Sequence, residues 1–117
     1  MRSKDNVWKI GEEMARKYLE KQGYKIIEQN YRTKYYEIDI IVKKDDILIF
    51  VEVRTKKSRD FVSPEESINW KKLKKLYWNA EAYAASKKYK GQYRVDAVCI
   101  ILKPDDAVEK IEHYKGI

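Results

Sequence analysis

The chain has 117 residues, which is enough for one domain with a hydrophobic core and too few for a second. Lysine and arginine total 26 against 19 aspartate and glutamate residues, so the net charge of +7 favours a polyanionic partner, with nucleic acid first and an anionic membrane surface second. The apolar runs are far shorter than the roughly 20 residues that span a bilayer, and the N-terminus lacks an apolar signal segment. We therefore expect a single cytoplasmic domain over residues 1–117 that does not enter the membrane.

The chain contains one cysteine and one histidine, which restricts its chemistry. Cys99 lies in an apolar segment, where a buried and unreactive thiol is expected. His113 alone cannot build a histidine zinc cluster, and the usual histidine-based triads are also unexpected. Any catalysis should therefore depend on carboxylates and lysines.

A first helix is predicted from a cap at Asp5 or Asn6 to about Gln22, with Gly23 as the residue that ends it. Glu12 falls within its apolar stripe and should point toward the core, either as a functional carboxylate or as a residue at the edge of the buried face. The stripe consists of Trp8, Ala15, Tyr18 and Leu19, with Gly11 permitting a close backbone approach.

A short strand is predicted over Tyr24–Glu28, followed by a polar connection over Asn30–Lys34. Aromatic and basic residues alternate around this connection, where they can stack on bases and hold phosphates or simply cover the edge of a sheet. They are Tyr31, Arg32, Tyr35 and Tyr36.

The segments Ile38–Val42 and Ile47–Val53 are rich in β-branched residues and predict a hairpin that turns at Asp45-Asp46. This turn sets a register in which Asp39 lies opposite Glu52 and Glu37 lies opposite Arg54, all on one face. On the other face Ile38, Ile40 and Val42 would lie against Val53, Val51 and Ile49, so the hairpin should be buried on both sides.

Two opposed carboxylates in a buried sheet repel each other and are costly to desolvate. A divalent cation between Asp39 and Glu52 would offset that cost, and their hard oxygen ligands suit Mg²⁺ or Mn²⁺. The alternative is a structural cluster of ion pairs formed by Glu37, Asp39, Glu52 and Arg54.

After the hairpin we expect a basic loop through Lys56, Lys57 and Arg59, and then a second helix. Ser63-Pro64 and Glu66 form a capping box, and the helix should run to about Lys87. Its core face contains Ile68, Leu73, Leu76, Ala80, Tyr83 and Ala84. Lys72 is on the same face and either reaches the carboxylates or lies along apolar surface, while Lys71 and Lys75 either follow a phosphate backbone or are only solvated.

Tyr93–Leu102 predicts a fourth strand that is parallel to the third through a right-handed crossover, which makes the sheet mixed. Asp96 within it either pairs with Arg94 and with lysines, which is the structural role we favour, or lies near the site. Ala107–Tyr114 is predicted to add a short edge strand.

Several runs resemble, in order and spacing, the YraN-like family of small bacterial proteins. They are GEEMARKYLEKQGYKIIEQNYR, EIDIIV, IFVEVRTK, ESINWKKLKKL and RVDAV. That family is placed with the PD-(D/E)XK nucleases and is similar to Holliday junction resolvases. The resemblance implies a restriction-endonuclease-like α/β fold in which helices flank a central mixed sheet, with the order α-β-β-β-α-β.

The resemblance also assigns roles to particular residues. Glu12 is the helix carboxylate, Asp39 the central metal-binding aspartate and Glu52 the acidic residue of the (D/E)XK element. Arg54 stands where the superfamily has lysine, and because arginine stays protonated it can hold a phosphate but cannot act as a base. Lys56 or Lys72 would then supply the amine. A second departure is Tyr36, since the family usually has glycine at this place.

Taken together, these features predict a metal-dependent nuclease acting on DNA, including branched DNA. The resemblance to resolvases also suggests a homodimer. Asp39, Glu52 and the main-chain carbonyl of Val53 would hold the metal, with Glu12 binding a second ion or orienting water. The predicted nucleic-acid contacts are Tyr31, Arg32, Lys57, Arg59, Lys71 and Lys75. The alternative is a nucleic-acid-binding module on the same fold without catalysis.

Overall fold

Five strands form one mixed sheet in the order β1-β2-β3-β4-β5, with a helix on each face. The structure, a computed structural model, describes residues 4–58 and 70–117. The predicted capping box at Ser63-Pro64 and Glu66, the core position Ile68 and the basic residue Arg59 lie outside the described residues. The elements are α1 (Lys4–Lys21), β1 (Lys25–Arg32), β2 (Glu37–Lys44), β3 (Ile47–Lys57), α2 (Trp70–Ser86), β4 (Gln92–Leu102) and β5 (Val108–Tyr114).

Helix α1 ends as its sequence predicts. Gly23 has a φ of 92°, a conformation that glycine adopts without strain. Its N–H donates to the Glu20 carbonyl at 3.0 Å, and the N–H of Tyr24 donates to the Leu19 carbonyl at 2.9 Å. This pair of bonds is a Schellman motif, which satisfies the last carbonyls of the helix and sends the chain back into β1.

The β2–β3 hairpin confirms the predicted turn and register. Asp45 and Asp46 have φ values of 51° and 63°, the left-handed pair that a two-residue type I′ turn requires. The antiparallel ladder runs from Lys44 opposite Ile47 to Ile40 opposite Val51. Asp39 and Glu52 are therefore the next pair in the register, beyond the last paired residues.

Strands β3 and β4 are parallel and in register from Ile47–Gln92 to Lys57–Leu102, as the crossover predicted. The predicted loop at Lys56 and Lys57 is wrong, because the backbone of both residues still pairs with β4. The predicted connection after Glu28 also begins too early, since β1 continues to Arg32 and pairs with β2. The edge strand β5 is confirmed and pairs antiparallel with β4.

The helices bury opposite faces of the sheet. Ala15 and Leu19 of α1 pack in one cluster with Ile40, Val42 and Val51. Across the sheet, Ala80 and Tyr83 of α2 pack in a second cluster with Ile41 and Phe50. The hairpin between them is buried on both sides, as predicted.

Two predicted core positions are wrong. Trp8 is 40% exposed, and Val7, Ile10 and Met14 instead carry the apolar contact of the first turns of α1. Ile38 packs in the cluster beneath α2 and not with Ile40, because the alternation of side chains breaks where β2 leaves the ladder with β3. Cys99 is buried and its pKa is raised to about 11 by burial, as expected of an unreactive thiol.

Candidate active site

The candidate site lies where β2 and β3 separate. Instead of continuing the ladder, the N–H of Val53 donates to Asp39 Oδ2 at 2.9 Å. The predicted pairing of Glu37 with Arg54 is not formed, because the β2–β3 ladder ends at Ile40 and Val51. Glu37 instead pairs with Arg32 of β1 and accepts a bond from its guanidinium at 2.9 Å. The aspartate therefore occupies the gap between the two strands.

Asp39 is perturbed in the way that opposed carboxylates should be. Its pKa is raised to about 6, mainly by burial and then by the charge of Glu52, while the hydrogen bond from the Val53 N–H acts in the opposite direction. This result supports the central electrostatic argument from the sequence. A half-buried aspartate beside a second carboxylate is kept partly protonated near neutral pH unless a cation approaches it.

Glu12 of α1 faces the same region, as the sequence predicted. Its side chain is 5% exposed, and neither carboxylate oxygen has a hydrogen-bond partner among the residues that the structure describes. Burial raises its pKa to about 7, with further contributions from the charges of Asp39 and Glu37. Unpartnered buried oxygens are rare in proteins, and each calls for an explanation such as a water, an ion or a catalytic role.

Gly11 explains how α1 comes close enough to present Glu12. A Cβ at this position would overlap the side chain of Thr55 on β3. The helix backbone therefore lies directly on the strand that also carries Glu52, so the adjacent Glu12 is held against the sheet.

Two cations flank Glu52. Arg54 Nε is 3.6 Å and Lys72 Nζ is 3.5 Å from Glu52 Oε1, and the glutamate side chain is only 15% exposed. The first of the two predictions for Lys72, that it reaches the carboxylates from α2, is therefore the one the structure supports. Lys56 lies four residues beyond Glu52 on the same face of β3, about 13 Å along the strand.

The donor chemistry of the site fits a hard divalent cation. Within the described part of the chain, no three His, Cys, Asp or Glu side chains are arranged together as a metal centre. The predicted ligands are instead two carboxylates, Asp39 and Glu52, with the Val53 carbonyl, and Mg²⁺ often keeps several waters beside so few protein ligands. The unpartnered oxygens of Glu12 add further acceptors near Asp39.

The residues predicted to contact nucleic acid are divided by the structure. Lys71 and Lys75 are exposed on α2, and Arg32 is exposed beside Glu37. Tyr31 instead turns inward, with its ring 5.0 Å from that of Tyr83. Lys57 forms an ion pair with Asp106 and a 3.4 Å bond to the Pro104 carbonyl, so its charge is already used.

A second polar cluster is centred on Asp96 of β4, which pairs in register with Val51 of β3. The predicted partner Arg94 donates from Nε at 2.9 Å, and the cluster also includes His113 Nε2 at 2.8 Å and the Gly116 N–H at 3.0 Å. Burial alone would raise the pKa of Asp96, but these bonds hold it below its usual value. His113 also contacts Tyr18 at 2.9 Å. The sequence does not predict this contact of His113, for which the available clue is its period-two position in β5.

A five-stranded mixed sheet between two helices, with acidic residues where its central hairpin opens, defines an α/β protein compatible with a restriction-endonuclease-like fold. The chain belongs to the YraN-like family, since residues 11–100 match the family model described as "Uncharacterised protein family UPF0102".

Similar proteins support that assignment over nearly the whole chain. A UPF0102 protein of Thermotoga petrophila is 44% identical over 110 residues, which cover 94% of each chain. One of Syntrophomonas wolfei is 41% identical over 104 residues, covering 88% of this chain and 89% of the relative. No helix within the described residues is long and apolar enough to cross a membrane.

Proposed function

We propose that this protein is a metal-dependent endonuclease that binds DNA, including branched DNA, and hydrolyses its phosphodiester bonds. The observation that supports this function is the pair of opposed carboxylates of Asp39 and Glu52, beside the cations Arg54 and Lys72 and near the buried Glu12. A folding requirement alone would not favour Glu12 and Asp39 in places where burial and neighbouring carboxylates raise their pKa values. The net charge of +7 matches a polyanionic substrate.

The carboxylates have separate tasks in this proposal. Asp39 and Glu52, with the carbonyl of Val53, would hold Mg²⁺ or Mn²⁺, and Glu12 would bind a second ion or orient the attacking water. A bound divalent cation supplies positive charge at the scissile phosphate and makes a neighbouring water more acidic. Val53 fixes the orientation of Asp39 through its N–H, so the aspartate is positioned before any ion arrives.

The cations act on the phosphate. Arg54 cannot accept a proton, but its guanidinium can hold a phosphate oxygen and stabilise developing charge. Lys72 supplies an amine 3.5 Å from Glu52 Oε1. It would replace the superfamily lysine, whose position in the sequence is occupied by Arg54. Lys71 and Lys75, exposed on the same helix, would contact the DNA backbone farther from the site.

The deciding experiment is cleavage of labelled linear, single-stranded and four-way-junction DNA with Mg²⁺, Mn²⁺ or chelator. We expect metal-dependent cutting by the wild type, none by Glu52→Ala, and wild-type cutting by Glu20→Ala, which removes a carboxylate on the exposed side of α1. Without metal, Glu52→Ala should be at least as stable as the wild type because a repulsive pair is removed. A drop of many degrees in its melting temperature would instead support a structural ion-pair cluster.

Arg54 favours a second candidate function, a nucleic-acid-binding module without catalysis. Its side chain is 25% exposed and its Nε, 3.6 Å from Glu52 Oε1, makes no hydrogen bond among the described residues, so the guanidinium keeps donors for a phosphate. In that case DNA stays intact with every metal, and Asp39→Asn leaves affinity unchanged. Replacing Lys71 and Lys75 together would weaken binding and lower the slope of log affinity against log salt by about 2.

We further propose that the protein acts as a homodimer, as the resolvase-like resemblance implies. Trp78 is 67% exposed and Tyr77 is 38% exposed on α2, which makes both suitable interface residues. Sedimentation equilibrium of the wild type and Trp78→Ser would test this, and a monomer at every concentration would refute it.

A further inference from the structure

Three tyrosines flank the turn between β1 and β2, and the structure uses them differently. Tyr31 contacts Tyr83 edge to face with ring centroids 5.0 Å apart, and Tyr36 lies 5.9 Å from Tyr31. Both are half-buried and pack on the cluster beneath α2. Tyr35, in contrast, is 83% exposed. The hydrophobic core therefore accounts for two of these rings and leaves the third to solvent.

Tyr35 is presented by a hydrogen-bonded turn. Thr33 Oγ1 accepts the N–H groups of both Tyr35 and Tyr36 at 3.1 Å, and the Thr33 N–H donates to the Tyr36 carbonyl at 2.8 Å. The backbone that carries the exposed ring is thus fixed on both sides. A backbone held in place loses less conformational entropy when the side chain it carries binds a partner.

The turn lies beside the candidate active site. Tyr35 precedes Asp39 by four residues, so their backbones are separated by at most about 14 Å. Glu37 lies between them and acts electrostatically on Asp39 and on Glu12. An aromatic ring here is close enough to contact a base within a few nucleotides of the phosphate at the carboxylates.

The surroundings of Tyr35 are basic. Lys34 Nζ lies 5.9 Å from the Tyr35 ring centroid. Arg32, two residues before Lys34, has a side chain that is 73% exposed. An exposed ring with neighbouring cations is the combination that binds single-stranded nucleic acid, because the ring stacks on a base while the cations hold phosphates. The bases of an intact duplex already stack on one another and do not offer such a face.

We propose that Tyr35 stacks on an unpaired base next to the phosphate held at the carboxylates. This inference rests on the proposed function and names its substrate class, which is DNA with unpaired nucleotides rather than uninterrupted duplex. Tyr35 is then a specificity-determining residue that does not touch the reacting atoms. Its ring distinguishes substrates by whether a base can leave its stack.

The test is equilibrium binding in chelator, so that cleavage is not needed. Fluorescently labelled single-stranded DNA and its fully paired duplex are titrated with wild type, Tyr35→Ala, Tyr35→Phe and Tyr93→Ala. Tyr93 is a partly exposed tyrosine at the opposite end of the sheet, paired with Leu48 in register, and serves as the matched control. Thermal melting of each variant verifies that the fold is kept.

We expect Tyr35→Ala to weaken single-strand binding by about 5- to 100-fold and duplex binding by less than about twofold. Tyr35→Phe should keep the wild-type preference, because stacking needs the ring and not the hydroxyl. Equal losses on both DNAs, or no loss, with wild-type binding intact would overturn the role of Tyr35 alone. A wild type that binds neither DNA, in chelator or with Mg²⁺, would overturn the proposed function together with this inference.

Discussion

Replacing Glu12 by glutamine should stabilise the metal-free protein at alkaline pH. The substitution keeps the shape of the side chain and removes its charge. Because the carboxylate is buried, has no hydrogen-bond partner among the described residues and lies near Asp39, ionising it opposes folding. Glutamine carries no such cost at any pH.

The size of the effect follows from the pKa. A rise from 4.5 in the unfolded chain to about 7 in the folded protein corresponds to about 3 kcal/mol of unfolding free energy. The penalty is absent below pH 4.5, where the carboxyl is protonated in both states. It grows as pH rises toward 7 and is complete above that value. The glutamine variant should therefore match the wild type at pH 4 and exceed it by up to about 3 kcal/mol at pH 8.

Urea unfolding in chelator across this pH range measures the difference directly. Glu13→Gln is the matched control, because Glu13 is the adjacent residue, its pKa is lowered by a hydrogen bond from Arg16, and its loss should give no gain at high pH. The reasoning is refuted if Glu12→Gln is less stable than the wild type at pH 8. That result would mean that the ionised carboxylate has a favourable partner in solution.

Two further predictions concern the frame of the site. Gly11→Ala should lower the unfolding free energy by about 1–3 kcal/mol, because the added Cβ overlaps Thr55. Thr55→Ala should then lower the unfolding free energy less in the Gly11→Ala background than in the wild type. Additive losses in this double-mutant cycle would contradict the contact. Asp96→Asn should lower the unfolding free energy by about 3 kcal/mol, because Arg94 and His113 lose a buried anion. The substitution Glu109→Gln, at an exposed residue, is the control. An unchanged melting temperature of Asp96→Asn would refute the ion-pair role of Asp96.

Local sequence signals were enough to predict the part of the fold that positions the site. The two aspartates at 45 and 46 define the turn, and the turn fixes the register that brings Asp39 level with Glu52. Gly23 marks the end of α1, and the small Gly11 marks the contact with β3. Turns and helix ends depend on the backbone conformation of one or two residues, and the buried face of a strand depends on alternation along a short segment. Both can be read from the local sequence.

Features that depend on tertiary packing were harder to predict. Trp8 was placed in the core by its hydrophobicity, yet the face of α1 is set by Val7, Ile10 and Met14. The polarity of Lys56 and Lys57 indicated a loop, although pairing with β4 keeps both in a strand. At Lys56 and Lys57, hydrogen bonding to a neighbouring strand overrides side-chain propensity.

The end of β2 shows a limit of a different kind. Alternation assigns Ile38 to the face of Ile40, and the strand obeys this rule only while it remains paired with β3. Where the strands part, the Asp39 side chain takes the Val53 N–H and the alternation fails. The prediction therefore fails at the point where the candidate chemistry lies, as expected of a site that departs from regular structure.

The buried cluster around Asp96 also has a consequence for biosynthesis. Asp96 is fully buried, and two of its partners, His113 and Gly116, are synthesised about 20 residues later. A nascent chain that has exposed β4 but not yet Gly116 therefore contains an aspartate that has Arg94 beside it but lacks His113 and Gly116. Desolvating that carboxylate early would be unfavourable, so we expect the sheet to close only after residue 116 has left the exit tunnel.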